Sequence, residues 1–359
     1  MDLMMQSIVD KVKNQVRLTK EDGLYLYQSP DLLTIGELAR LKKQTVSGAN
    51  IFFNVNQHIN LTNICTSRCK FCAFGVDADE NASYVMTPQQ AFEYGAAAVE
   101  YGITEFHIVS AMHPDMSFDY YLGIVRDLHQ AFPQIHIQAF TAVEIFYFAQ
   151  ISGLSVRQVL EALQNAGLGS LPGGGAEILN DDIRRQLCPR KAMSQDWLDV
   201  HRTAHQLGIK TNCTMLFGHI ESFEDRILHL LALRQLQDEE PGFQAFIPLP
   251  FLPENTGLAH LRRTSAVDDI KTLAISRLML DNIDHIKAFW VMLGIDVAQL
   301  AFFFGADDID GTVYEEKIMH AAGARTGKAI SKEDIIVLIK EAGCVPVERD
   351  TLYNVLKTY

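Results

Sequence analysis

The chain has 359 residues, 31 Lys and Arg against 44 Asp and Glu, a formal net charge of −13, and a 48% hydrophobic fraction. An acidic balance without any block of Lys or Arg argues against nucleic acid and an anionic membrane surface as partners, and the apolar fraction is enough for a large buried core. Met1-Asp2-Leu3-Met4-Met5-Gln6 lacks the basic-then-apolar pattern of a secretory leader, and no apolar run approaches a membrane span, so a cytoplasmic chain with six reduced cysteines is expected.

Residues 1–48 read as a helical N-terminal extension, clearest over 34–43. From residue 51 onward, β-rich runs alternate with helical patterns at the spacing of βα units. Strands are expected at 51–61, 105–111, 135–141, 169–172, 210–217, 243–248 and 285–292. Helices fall between them at 88–100, 118–132, 156–166, 195–207 and 224–237, the first opened by Thr87 as cap and Pro88 at its first position. This order predicts an α/β fold, a (βα) barrel of the TIM-barrel type, partial or near-complete, over residues 49–293. Residues 294–359 read as a helical C-terminal extension packed on the barrel, with an acidic loop at Gly305-Ala306-Asp307-Asp308-Ile309-Asp310-Gly311.

In a parallel barrel the C-terminal strand ends form the face that carries chemistry. The run Cys65-Thr66-Ser67-Arg68-Cys69-Lys70-Phe71-Cys72 follows the first strand onto that face. Three thiolates so close suit an iron–sulfur cluster or zinc. A [4Fe-4S] cubane has four irons, so three cysteines leave one iron open to a substrate. Zinc would close its tetrahedron with a fourth Cys or His, and His58 is the nearest candidate. Cys188, Cys213 and Cys344 are scattered, though Cys188 stands beside Arg190-Lys191, two cations that suit a carboxylate-bearing substrate.

Gly173-Gly174-Gly175 is not a dinucleotide fingerprint, and its glycines permit close backbone approach to a ligand at the rim. Glu177, and Glu144 one strand earlier, could accept from ribose hydroxyls or an ammonium group. His201 and His205 share a helix face, but Arg202 stands where a zinc hydrolase needs Glu, so hydrogen-bonded packing is expected. The acidic loop has Ala306 and Lys317 where a calcium loop needs carboxylates.

Cys65-x3-Cys69-x2-Cys72, with Phe71 before the last cysteine, resembles the signature of the radical S-adenosylmethionine (SAM) superfamily. Over nearly the whole chain the likeness extends to the futalosine-pathway and deazaflavin-synthesis enzymes, and most closely to the aminodeoxyfutalosine synthases. It rests on Asn56-Gln57-His58-Ile59-Asn60-Leu61-Thr62-Asn63-Ile64-Cys65, on Leu171-Pro172-Gly173-Gly174-Gly175-Ala176-Glu177-Ile178, and on the phrases at 139–145, 214–221, 246–256, 305–313 and 348–353. One departure is Ser110-Ala111, where many members carry paired glycines that hold the SAM amino group.

The resemblance implies a radical SAM barrel with a [4Fe-4S] cluster held by Cys65, Cys69 and Cys72. It implies SAM near Phe71, Ser110, Thr141, Glu144, Gly174, Gly175 and Glu177. The implied reaction adds the 5′-deoxyadenosyl radical to the enolpyruvyl double bond of 3-[(1-carboxyvinyl)oxy]benzoate, giving 6-amino-6-deoxyfutalosine, methionine and bicarbonate on the route to menaquinone. Candidate substrate contacts are His58, Asn60, His113, Arg190, Lys191, His219 and Asn255, and an electron donor such as flavodoxin or ferredoxin is the expected partner. Siblings that abstract hydrogen, such as cyclic dehypoxanthinylfutalosine synthase or the tyrosine-cleaving deazaflavin enzyme, share the cysteine run, and a zinc-stapled binding protein is a remoter reading.

Overall fold

The computed structural model describes residues 2–314 and 316–359. Its strands are β1 (Asn50–Phe53), β2 (Asn56–Ile59), β3 (Glu105–Ile108), β4 (His136–Ala139), β5 (Ser170–Leu171), β6 (Lys210–Phe217), β7 (Phe243–Pro250), β8 (His285–Ala288), β9 (Asp308–Ile309), β10 (Val345–Arg349) and β11 (Val355–Thr358). From β2 to β9 the strands stand side by side in chain order and pair in parallel, with helices in the connections. The series closes on itself after β9. His58 N–H donates to the Tyr314 carbonyl and Tyr314 N–H to the Asn56 carbonyl, both at 3.4 Å. The result is a complete barrel of the TIM type.

Every residue of β6 after Lys210 is buried, as expected of a parallel strand covered on both faces. Thr87 caps the helix Pro88–Val99 as its sequence predicts, in a reciprocal box with Gln90. The expected strand at 51–61 is instead broken at Asn54-Val55 into β1 and β2. The first pairs β9 and β10, and the second enters the barrel beside β3. The expected strand at 285–292 stops at Ala288 and turns into the short helix Trp290–Leu293.

The N-terminal segment is helical, as Leu3–Lys13, Lys20–Gln28 and Leu32–Ser47. It lies against the barrel exterior, where Lys271 donates to the carbonyls of Tyr27 and Ser29 and Arg234 to that of Leu18. The C-terminal segment departs from its sequence reading. It is not purely helical, because it supplies β9, which completes the barrel, and the β10–β11 hairpin. The acidic run is that closing strand rather than a solvated loop. Asp307 is paired with Arg277 at 2.6 Å, Asp308 with Arg349 at 2.6 Å, and Asp310 with Lys287 at 2.8 Å, all buried. Buried carboxylates persist only with such partners. His201 and His205 share the Thr211 hydroxyl, at 3.0 and 2.8 Å, which is the packing role expected of them.

Candidate active site at the barrel mouth

The segment between β2 and Pro88 carries the three cysteines and is tied back at several points. Cys65 N–H donates to the Val76 carbonyl, Val76 N–H to that of Asn63, and Asn63 clamps Ala82 and Tyr84 through its side-chain amide. Thr66 N–H reaches the Met112 carbonyl beyond β3, and Lys70 N–H the Leu187 carbonyl. Arg68, at φ +43°, turns its guanidinium onto the Gly75 carbonyl at 2.6 Å. A Cβ on Gly75 would crowd Cys65 Cβ at 3.1 Å and stand within about 4 Å of both Cys65 Sγ and Cys72 Sγ, so a side chain there would press on the cysteines.

All three cysteines line one cavity of about 230 Å³ at the barrel mouth. Burial pushes the Cys72 thiol up, opposed by the N–H groups of Gly75 and Phe74. The Cys188 thiol, behind Cys69, and burial together raise the Cys69 thiol. Among the described residues no group of His, Cys, Asp or Glu converges as ligands of one metal ion would. His58, the proposed fourth zinc ligand, lies in a separate chamber. Three cysteine thiols facing one cavity, with the amide N–H groups of Gly75 and Phe74 directed at the Cys72 sulfur, are a donor set that suits an iron–sulfur cluster.

The same cavity gathers Phe71, Ser110, Thr141, Glu144, Gly174, Gly175, Glu177 and Lys191. Glu144 ties two strand ends together. Its Oε1 accepts Ser110 N–H and its Oε2 accepts the Thr141 N–H and hydroxyl, each at 2.7 Å. Burial nevertheless raises its carboxyl to about 7. Glu177 takes the Lys191 ammonium at 2.5 Å, and that ammonium stands 5.3 Å from the Phe71 ring centre.

The glycine loop is held from behind by its carbonyls. Gly173 accepts from the Thr214 hydroxyl, Gly174 from the Trp197 indole, and Gly175 and Ala176 from the buried Arg184. Glycine is required at 173 because a Cβ would meet the β6 backbone at 2.6 Å. At 175, with φ +88°, it would meet Val143 Cγ2 at 2.3 Å. Packing against the protein, rather than approach to a ligand, therefore explains two of the three glycines.

A second chamber of about 150 Å³ lies in the barrel interior and shares Val109, Thr141, Gly174, Thr214 and Leu249 with the first. His58 and Asn60 line it. His58 stacks on His107 with ring centres 4.4 Å apart, and burial beside His107 lowers it to about 4. Glu105, His107, Asn212, Lys287, Asp310 and Glu316 also line this chamber and escaped the sequence reading. Glu105, His107, Asn212 and Lys287 lie on barrel strands, where periodicity does not say which side faces in when both are buried, and Asp310 and Glu316 follow β9 in a segment without a local pattern.

Four sequence candidates line neither chamber. His113 caps its own turn, accepting Asp115 N–H. Arg190 binds the cysteine segment from outside through the Thr66 carbonyl. His219 is spent on the Leu216 carbonyl and Glu221. Asn255, at φ +60°, ties its loop to the Ala321 carbonyl.

A model of the Radical SAM superfamily matches residues 59–233, and one of the CofH/MqnC C-terminal region matches residues 240–359. Aminodeoxyfutalosine synthase of Streptomyces coelicolor is 42% identical, covering 99% of this chain and 94% of that protein. The enzyme of the same name from Thermus thermophilus is 42% identical, covering 98% and 96%. The 5-amino-6-(D-ribitylamino)uracil–L-tyrosine 4-hydroxyphenyl transferase of Methanothermobacter thermautotrophicus is 41% identical, covering 94% of each. In fold, methylornithine synthase superposes with a TM-score of 0.76 at 19% identity, covering 94% of this chain and 97% of that one. The FeFe-hydrogenase maturase of Carboxydothermus hydrogenoformans gives 0.76 at 16%, covering 97% and 80%.

Proposed function

The chain belongs to the radical SAM superfamily, whose enzymes use a [4Fe-4S] cluster and SAM, and on that premise we propose that it is an aminodeoxyfutalosine synthase. It adds the 5′-deoxyadenosyl group of SAM to the enolpyruvyl double bond of 3-[(1-carboxyvinyl)oxy]benzoate, with loss of a carboxyl group as bicarbonate, on the route to menaquinone. The observation that carries this reading is the near-full-length similarity to two synthases of that name.

Cys65, Cys69 and Cys72 would hold the cluster, which when bound would supply the electron for reductive cleavage of the S–C5′ bond of SAM. The protein's own part is orientation and exclusion. Val109, Leu216, Leu249, Phe251 and Met292 wall the cavity with apolar side chains, which keeps water from a reactive carbon radical. The pinned glycine loop and the Glu144 clamp fix the rim against which SAM lies. The Glu177–Lys191 pair offers a carboxylate and an ammonium to its methionyl end. The chamber below gives the acceptor a fixed place close to the nascent radical. A flavodoxin or ferredoxin supplies the electron, and the chain works in the cytoplasm.

A second reading, transfer of the 4-hydroxyphenyl part of tyrosine to a ribitylaminouracil, is favoured by the archaeal transferase. Anaerobic incubation with SAM and reductant, in parallel with the enolpyruvyl benzoate and with tyrosine plus 5-amino-6-(D-ribitylamino)uracil, separates the two. An adenosylated product from the first mixture alone supports the synthase. A product from the second alone overturns it.

A further inference from the structure

The lower chamber contains recognition capacity that none of the described residues uses. His58 Nε2 and the Asn212 side-chain oxygen are both buried on its wall, and neither has a hydrogen-bond partner among the described residues. Buried polar atoms are normally satisfied, so two orphans facing one cavity point to a ligand between them. The carboxylates around them are engaged. Glu105 accepts from Asn54 and Thr351 at 3.0 and 2.8 Å, and His107 Nδ1 stands 3.4 Å from it. Asp310 holds Lys287, and Glu316 accepts from the N–H groups of Ile318 and Met319 and pairs with His320. Among the buried atoms of the lining, the unpartnered capacity is therefore an imidazole and a primary amide, and rotation of the amide lets Asn212 present either oxygen or N–H.

Resting on the synthase reading above, we infer that this chamber seats the aromatic end of the acceptor and that His58 and Asn212 bind its ring carboxylate. Two considerations set this direction. The enol ether carbon must reach the upper cavity, where the radical is born. The ring then lies among Ile247, Leu249 and Phe289, with its carboxylate directed at the two orphans.

The test uses the cluster-loaded enzyme with SAM bound, under anaerobic conditions, and two unreactive probes. One is 3-(1-carboxyethoxy)benzoate, and the other is 2-phenoxypropanoate, which lacks only the ring carboxylate. Titration calorimetry of the wild type is expected to favour the first probe at least tenfold. In Asn212→Leu and His58→Gln that preference falls below about threefold, while SAM affinity is unchanged. Asn212→Leu, having lost an unsatisfied group, melts no lower than wild type without ligand, a result that a structural role for Asn212 would not give. Retention of the preference in both variants overturns the inference, as does equal weakening of both probes. If the wild type makes the adenosylated adduct yet the variants keep the preference, this assignment alone fails. If it makes no adduct and binds neither probe, the synthase reading fails with it.

Discussion

Replacing Gly175 by alanine perturbs the rim in a way whose magnitude can be worked from the structure. At φ +88° an added Cβ costs about 1–2 kcal/mol in backbone strain. It also lands 2.3 Å from Val143 Cγ2, and overpacking of this kind costs about 1–3 kcal/mol. Val143 is buried and β-branched, so it has no free rotamer in which to yield. The sum is roughly 2–5 kcal/mol. Urea unfolding followed by circular dichroism should show the unfolding free energy falling by that amount, through a lower midpoint at an unchanged slope. The double variant G175A/V143A separates the two terms. Relative to V143A alone, G175A should then cost only the backbone part, about 1–2 kcal/mol. A G175A protein as stable as wild type, or a double variant in which the cost of G175A does not shrink, refutes the account of why this loop needs glycine.

Other consequences can be measured on the same footing. Arg184→Met leaves the carbonyls of Gly175, Ala176 and Ala192 without their donor. A loss of about 2–5 kcal/mol is expected in urea unfolding, with weaker SAM binding by calorimetry. Lys287→Met strands Asp310 and removes a cation 3.8 Å from Asp308. Removal of one partner from a buried pair should cost about 3–5 kcal/mol, read as a lower midpoint. Burial raises the Glu144 carboxyl from 4.5 to about 7, so between those values the folded state binds more protons than the unfolded one. Its contribution to stability therefore falls as pH rises through that window. Relative to Glu144→Gln, wild type should lose about 3 kcal/mol between pH 4 and pH 8 in paired denaturation series. Cys69→Ala should lose the broad visible absorption and the iron content of the anaerobically loaded protein while keeping the barrel's far-ultraviolet spectrum.

Much of the barrel was legible because its strongest elements are local. β6 coincides with the stretch expected at 210–217, and Thr87-Pro88 announces its helix through a box closed within four residues. The upper cavity was legible for a related reason. Its cysteines, glycines and carboxylates sit just past strand ends, where a parallel barrel must bring them together. β9 was not legible. Asp307, Asp308 and Asp310 look like a solvated loop until Arg277, Arg349 and Lys287 arrive from elsewhere in the chain, and no local pattern records those partners. The rim misled in the other direction at His219 and Asn255. Both are polar residues after strands, but each is consumed by its own turn or by a neighbouring carbonyl. In the lower chamber, Asn212 lies within a buried strand whose two faces look alike in sequence, and only the closed barrel shows which way it turns.

The most direct measurement is a single-turnover reaction of the reduced, cluster-loaded enzyme with SAM labelled at C5′ and the enolpyruvyl benzoate. The account predicts methionine and a labelled adenosyl adduct in a one-to-one ratio, the label bonded to carbon of the former acceptor. Methionine accompanied only by labelled 5′-deoxyadenosine, or a colourless zinc-containing protein that leaves SAM intact, would contradict it.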